Sequence, residues 1–306
     1  MKELWHGYAS VGIIHGMAFP GYVKNYGTVV DSARLICKDS FWGAIEIMRV
    51  ADTALKEQMK KVLDSAGIRV VIAGQPPLLG GKLNINSDVE EERKKAVEDV
   101  KKSIDDAAFF KAEKIAILSG PMPAADKKDA ARKALIASLK ELASYAKAKG
   151  VALTLETFDE TVDKKCFVGG SKFSAEIAAE VKKEFPAFGL TLDLSHLPLL
   201  KEKNEFALTT VKNVLTHIHV GNCYVKTTDT PAYGDNHPRF SFPGAENTVE
   251  DLADFVKNLF KCGYLSEKQS AHPPIVSFEV KPLPDEDPEL VLADAKRAWT
   301  KAWSLV

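Results

Sequence analysis

Eight short apolar runs, each followed by a longer amphipathic stretch, constrain this chain more tightly than any single motif. They fall at Val11–His15, Gly43–Met48, Ile68–Ala73, Lys114–Ser119, Val151–Thr157, Gly189–Leu194, Leu215–Gly221 and Pro274–Val280. No hairpin signal and no break in composition interrupts the alternation, which predicts parallel strands joined by helical crossovers. In a chain of 306 residues, this predicts an α/β fold, one (β/α)8 TIM barrel occupying residues 1–306 as a single domain. An open, doubly wound sheet is the rival architecture, but its Gly-x-Gly-x-x-Gly turn is missing after the first strand.

The helices carry their own punctuation. In Asp129–Lys149 the apolar positions Ala131, Leu135, Leu139, Leu142 and Ala146 share one face, and Gly150 follows as a terminator. Thr248 with Asp251 three residues on approximates a capping box. Asp287-Pro288-Glu289 supplies an N-cap, a proline in the first turn and an acid beside the positive end of the helix. Helices are also expected around Val29–Cys37 and Asn204–Lys212. Charge runs such as Glu90–Lys95 read as solvated helix faces.

Composition excludes several partners. Forty-one basic residues against 42 acidic ones give a formal net charge of −1, so there is neither a footprint for nucleic acid nor a basic face for a membrane. The four cysteines, Cys37, Cys166, Cys223 and Cys262, are too scattered for a zinc ribbon or a disulfide framework. No signal-peptide core precedes Gly7, and no apolar run is long enough to span a bilayer. The expectation is a cytoplasmic enzyme or binding protein.

Chemistry gathers at the ends of the last four strands. Strand five ends at Glu156, six at Asp193, seven carries His217 and His219, and eight ends at Glu279. Side chains alternate across a strand, so Thr191 and Asp193 face away from Leu190, Leu192 and Leu194. A buried acid there needs a cation or a hydrogen-bond network. Any one of these acids could simply pair with a lysine such as Lys281. Four at matching heights are poorly explained that way, and three carboxylates with one imidazole suit Mn²⁺ or Mg²⁺ better than Zn²⁺. His217 reads as a hydrogen-bonded histidine one layer deeper. Glu46 is open between ligand, outer-layer acid and structural partner, and His15 could line the pocket. His6 and His272 read as surface or loop residues.

Three loops over the same barrel end are long: Gln75–Ser87, Phe158–Gly170 and, longest, Asn222–Asn247. The last holds Tyr233, Asp235, His237 and Arg239. A connection that long in a compact fold is a candidate lid or binding loop.

This pattern (Glu156, Asp193 with His196 three residues on, His217-x-His219, and Phe278-Glu279) resembles the xylose isomerase-like TIM-barrel superfamily of sugar isomerases and epimerases. By site, the ketose 3-epimerases are the nearest well-understood branch. The resemblance implies one divalent ion, Mn²⁺ in the first place with Mg²⁺ or Co²⁺ as substitutes, held by Glu156, Asp193, His219 and Glu279. It implies that Glu156 and Glu279 also act as the acid/base pair and that His196 contacts substrate. Two positions depart from that branch: Val162 stands where it has a substrate-binding Glu, and Val225 where it has an Arg. The loop with Tyr233, Asp235, His237 and Arg239 is more similar to large subunits of C-glycoside deglycosidases, which act on 3-oxo-glycosides together with a small β-rich partner subunit. A carbohydrate substrate and a homo-oligomer are implied either way. Both readings begin with loss of a proton next to a carbonyl. They part afterwards: a proton returns in an epimerase, whereas an aglycone departs, protonated by His196 or His237, in a deglycosidase. The expectation for the loop is that it covers the barrel mouth and that His15, Tyr233, His237 and Arg239 bind substrate. Endonucleases of this architecture hold more metals and need a basic face, which the charge balance does not provide. A non-catalytic sugar-binding barrel would not need a complete metal quartet, and a metal-water hydrolase lacks phosphate-binding glycines.

Overall fold

A computed structural model describes residues 4–21 and 28–306. Eight strands, β1 (Ser10–Ile14), β2 (Ala44–Met48), β3 (Arg69–Ala73), β4 (Lys114–Leu118), β5 (Ala152–Glu156), β6 (Gly189–Asp193), β7 (Leu215–Gly221) and β8 (Ile275–Glu279), form a closed barrel in chain order. All neighbours are parallel, and β1 closes the ring on β8. This is the (β/α)8 architecture expected from the alternation. The strands lie within a residue or two of the spans expected from sequence.

Outward-pointing side chains such as Ile45, Ile72, Leu155, Leu192 and Phe278 are buried under the helices. Covering a large aliphatic or aromatic side chain of this kind contributes about 1.5–3 kcal/mol. The helices answer with the stripes seen in sequence: Leu135, Leu139 and Leu142 on Lys128–Ala148, and Leu252, Phe255, Val256 and Leu259 on Val249–Lys261. Thr248 and Asp251 form a reciprocal capping box, and Asp287 caps Pro288–Ser304. The less periodic segments are helical as well, over Val29–Lys38 and Asn204–Val211. Among the described residues no helix is long and apolar enough to cross a membrane.

Inside the barrel, Ala44, Val71 and Ile275 form a small apolar cluster. Nearer the carboxyl ends of the strands the interior turns polar, with Glu46, Thr191, His217 and Ser277 fully buried. The facing of β7 depends on an irregularity. Leu190 pairs with Leu215, but Thr191 pairs with His217, so Thr216 is an extra residue in β7. Without that bulge, Thr191 would lie beside Thr216 and both histidines would turn to the outer face. Gly189 makes room for it: a Cβ there would lie 2.3 Å from Thr216 Cγ2 and 2.5 Å from Val214 O.

Two loops differ from the plain connections expected. Gln75–Gly80 is a short helix with prolines in its first turn, and His196 opens the helix His196–Leu200. The long connection after β7 is pinned at its base: Asn222 Nδ2 donates to Asn247 O, and Asn247 N–H donates to Asn222 Oδ1, both at 2.8 Å. The loop after β5 wraps around the buried Asp159, whose carboxylate accepts from the backbone N–H groups of Thr161, Val162, Asp163 and Lys164. Two loops that carry isolated backbone bridges, Tyr224 with Gly234 and Cys166 with Pro121, thus acquire fixed shapes over the mouth.

The bulge gives a direct test. Gly189→Ala should destabilise the fold by about 1–3 kcal/mol through overpacking against Thr216 and Val214, read as a lower urea midpoint. An unchanged midpoint would mean that the close approach at Gly189 is not needed to seat β7.

Candidate active site

β5 to β8 deliver Glu156, Asp193, His219 and Glu279 to one place. A ligand atom from each lies within 4.8 Å of the others. The register explains this: Asp193 pairs with His219 across β6 and β7, and Gly221 with Glu279 across β7 and β8. His219 Nδ1 sits 3.0 Å from Glu156 Oε1 and 3.2 Å from Glu279 Oε2. Its Nε2 lies 3.2 Å from Glu46 Oε2, while His217 Nε2 lies 2.7 Å from Glu46 Oε1. Glu46, left open by the sequence, is therefore an acceptor shared by two histidines. The Gln75 amide reaches Glu156 Oε2 from the mouth.

The donor set fits a divalent cation. Asp193 Oδ1 accepts from Ser195 N–H at 2.8 Å, but its fully buried Oδ2 has no hydrogen-bond partner among the described residues. Burial pushes the Asp193 carboxyl above its usual range, against the pull of His196. Burial lowers His219, but Glu46 and Glu156 outweigh it and raise the imidazole well above its ordinary value. Three converging carboxylates demand positive charge, and an ion among oxygens with one imidazole meets that demand. Two further groups of buried donors overlap this one: Glu46, His217 and His219, and Asp193, His196 and His237.

The second wall is built by His196 and the long loop. The main-chain oxygen of Thr157 accepts from His196 Nδ1 at 2.6 Å, which turns Nε2 inward. There Nε2 lies 3.1 Å from Asp235 Oδ1, and His237 Nε2 lies 3.0 Å from the same oxygen. Both are charge contacts too poorly aligned for hydrogen bonds. Burial raises Asp235, but the two imidazoles hold it well below the carboxylate range. Burial lowers His237, yet Glu279 and Asp235 push it up to about 9. His237 adopts a left-handed backbone, φ 48°, and its carbonyl accepts from Lys281 N–H at 2.8 Å, which ties the loop to the end of β8. Gly221 lets the imidazole in, because a Cβ there would lie 2.9 Å from His237 Nδ1. The loop also meets the β5 connection, where Asp163 accepts from Asp235 N–H at 3.1 Å and Lys164 bridges both.

These walls enclose a cavity of about 360 Å³. Glu156, Glu279 and His237 border it on one side, and Ile14, Met17, Met48, Pro76 and Leu79 on the other. The remaining sequence candidates lie elsewhere. His15 turns to Ser32 Oγ, 2.8 Å from its Nε2, and burial lowers it to about 4. Arg239 is paired with Glu286 on the connection after β8 and lies 5.7 Å above the Phe242 ring. Tyr233 uses its backbone within the loop, with its carbonyl accepting from the Asn236 amide at 2.6 Å. Neither Tyr233 nor Arg239 borders the cavity. In this structure both residues belong to the loop's own framework, and His15 packs within the first βα connection. Asp235, named from the sequence only as part of the long loop, and Gln75 also border the cavity. The signals for them were the Asp-x-His spacing beside His237 and the Gln-Pro-Pro turn after β3.

The xylose isomerase-like TIM-barrel family model matches residues 37–294. No curated protein sequence matches the chain. Among solved structures, the chain is similar to a D-tagatose 3-epimerase-like protein (15% identity, TM-score 0.70, covering 96% of this chain and 98% of that one). It is similar to D-psicose 3-epimerase from Clostridium cellulolyticum H10 (14%, 0.71, 97% and 99%). It is also similar to 3-keto-D-glucoside 4-epimerase from E. coli (17%, 0.66, 96% and 99%). At these identities the likeness is one of fold.

A cation held by the quartet should stabilise the folded chain by mass action. Mn²⁺ added to chelator-treated protein at about 100 times its dissociation constant should add about 2.7 kcal/mol, seen as a higher unfolding temperature. Asp193→Ala should abolish the shift. An equal shift in that variant would place the ion elsewhere.

Proposed function

The chain belongs to the xylose isomerase-like TIM-barrel family, and from that premise we propose that it is a sugar isomerase or epimerase that moves a proton next to a carbonyl. The observation that carries this reading is the convergence of Glu156, Asp193, His219 and Glu279, two of which, Glu156 and Glu279, border the cavity. These four side chains would hold a single divalent ion, Mn²⁺ by their oxygen-rich chemistry. The ion would supply positive charge to a ketone oxygen and its neighbouring hydroxyl, lowering the barrier to enediolate formation.

The chain's own groups carry the proton. Glu279, with 12% of its side chain exposed, faces the cavity and takes the proton from the carbon beside the carbonyl. Glu156 accepts from the Gln75 amide, and it returns a proton to the opposite face or to the adjacent carbon. His237, which borders the cavity against the Asp235 carboxylate, donates to a substrate oxygen, and His196, off the lining on that same carboxylate, backs it. The loop carrying His237 keeps water from the exposed carbanion-like carbon.

The substrate proposed is a 3-oxo-glycoside rather than a free ketose. Val162 and Val225 offer no polar anchor, and neither borders the cavity. Half of the wall is apolar instead, a poor match for a sugar with hydroxyls on every side. One of the similar structures is, by its name, a 3-keto-D-glucoside epimerase. A second reading, elimination of the aglycone, is favoured by the paired imidazoles. As the carbonyl re-forms, the bond to the aglycone breaks at the β-carbon, and His237, which borders the cavity, protonates the departing group. On that reading a small β-rich partner subunit is expected.

Turnover of 3-oxo-glucosides, measured with Mn²⁺ present, should fall by about 10²–10⁴-fold in Glu156→Gln and in Glu279→Gln. His237→Ala should also depress it. Arg239→Ala should leave the rate intact and lower only the unfolding temperature, because a half-exposed ion pair contributes about 1 kcal/mol or less. Full turnover in either Gln variant would remove the acid/base assignment.

A further inference from the structure

We propose that Glu46 of β2 is a positioning residue for the metal centre: it accepts hydrogen bonds from both His217 and His219 and thereby fixes which His219 nitrogen faces the ion. The inference rests on the proposed metal site and gives Glu46, which lies outside the quartet, a role toward it. Glu46 and both histidines are completely buried. Glu46 Oε1 lies 2.7 Å from His217 Nε2, and Glu46 Oε2 lies 3.2 Å from His219 Nε2. A carboxylate only accepts, so both imidazoles must carry a proton on Nε2.

The consequence falls on the opposite nitrogen. His219 Nδ1 points between Glu156 Oε1 at 3.0 Å and Glu279 Oε2 at 3.2 Å. Nδ1 is hydrogen-bonded to the Glu156 carboxylate and carries a proton as well. With Nε2–H committed to Glu46, the Nδ1 proton is the one an ion would displace, leaving that lone pair toward the place where the carboxylates converge. His217 works in the same sense one layer deeper. Its Nδ1 is buried and has no hydrogen-bond partner among the described residues. The His217 proton therefore has one favourable position, on Nε2, and that commits Glu46 Oε1. Each carboxylate oxygen of Glu46 is thus given to a different imidazole. Partners behind a ligating histidine orient it and raise its basicity, and losing one commonly weakens metal binding by about 10–100-fold.

Glu46→Gln separates this role from simple space filling. The amide has nearly the same shape but offers one acceptor and one donor. Whichever way it turns, one of the two imidazoles must reverse its tautomer. Mn²⁺ affinity, measured by calorimetry at constant pH, should weaken about 10–100-fold in Glu46→Gln, with circular dichroism unchanged. His217→Asn should weaken it less, because Glu46 then keeps its bond to His219. In parallel, ¹⁵N–¹H spectra of histidine-labelled wild type, assigned with His217→Asn and His219→Asn, should show a proton on His219 Nε2 with or without diamagnetic Mg²⁺. Wild-type Mn²⁺ affinity in Glu46→Gln, or a bare Nε2 on His219 in wild type, would overturn the assignment. The spectrum needs no metal. If wild type bound no Mn²⁺ at all, the metal reading would fall, while the hold of Glu46 on His219 would still be decided by the His219 Nε2 signal.

Discussion

Three carboxylates brought together in a largely buried space call for positive charge beside them. Glu156, Asp193 and Glu279 are in that position, and much of the surrounding structure can be understood as a response to it. His219 stands between two of the acids, Gln75 holds the third oxygen from the mouth, and Ser195 N–H satisfies one oxygen of Asp193. What is left is an orphaned Asp193 oxygen and a histidine nitrogen facing the same point. A divalent ion would resolve both at once. A surface network could not, because water would screen the charges and remove the need.

The loops convert that charged end of the barrel into an enclosed site. Irregular backbone over a cavity must satisfy its own polar groups. Here Asp159 gathers four backbone N–H groups, and Asn222 and Asn247 close the base of the long connection on each other. The cost of ordering that connection is met by buried polar contacts rather than by a regular ladder. His237 is held in a left-handed conformation at its tip, a backbone state that non-glycine residues sustain only where the surroundings fix it. Gly221, with no side chain, allows the imidazole to lie beside Glu279.

Much of this was legible in the sequence because it is periodic or local. Strand alternation placed Asp193 away from its leucines, and Thr248, Asp251 and Asp287 announced their helices. The facing of His217 and His219 was read correctly, although the bulge at Thr216 that permits it was not visible. Its trace was Gly189, the only residue type that fits beside Thr216. Contacts between loops were beyond such reasoning. Arg239 looked like a substrate contact because a charged residue in a long loop invites that reading, but Glu286, on a connection 47 residues later, claims it. His15 sat on the right strand end, yet Ser32 draws it off the cavity. Glu46 could be placed inside the barrel, but the double acceptance from His217 and His219 needs β2 and β7 to face each other across the interior.

The account stands or falls on whether these carboxylates exchange a proton at a carbon beside a carbonyl under control of a bound ion. The direct measurement is deuterium incorporation from D₂O into a 3-oxo-glucoside, followed by NMR with metal-loaded and chelator-treated protein. The account predicts label at the carbon next to the carbonyl with Mn²⁺ present, little with the metal removed, and recovery when Mn²⁺ is restored. Label appearing equally fast in metal-stripped protein would contradict it, as would conversion of substrate by the loaded protein without any solvent-derived label.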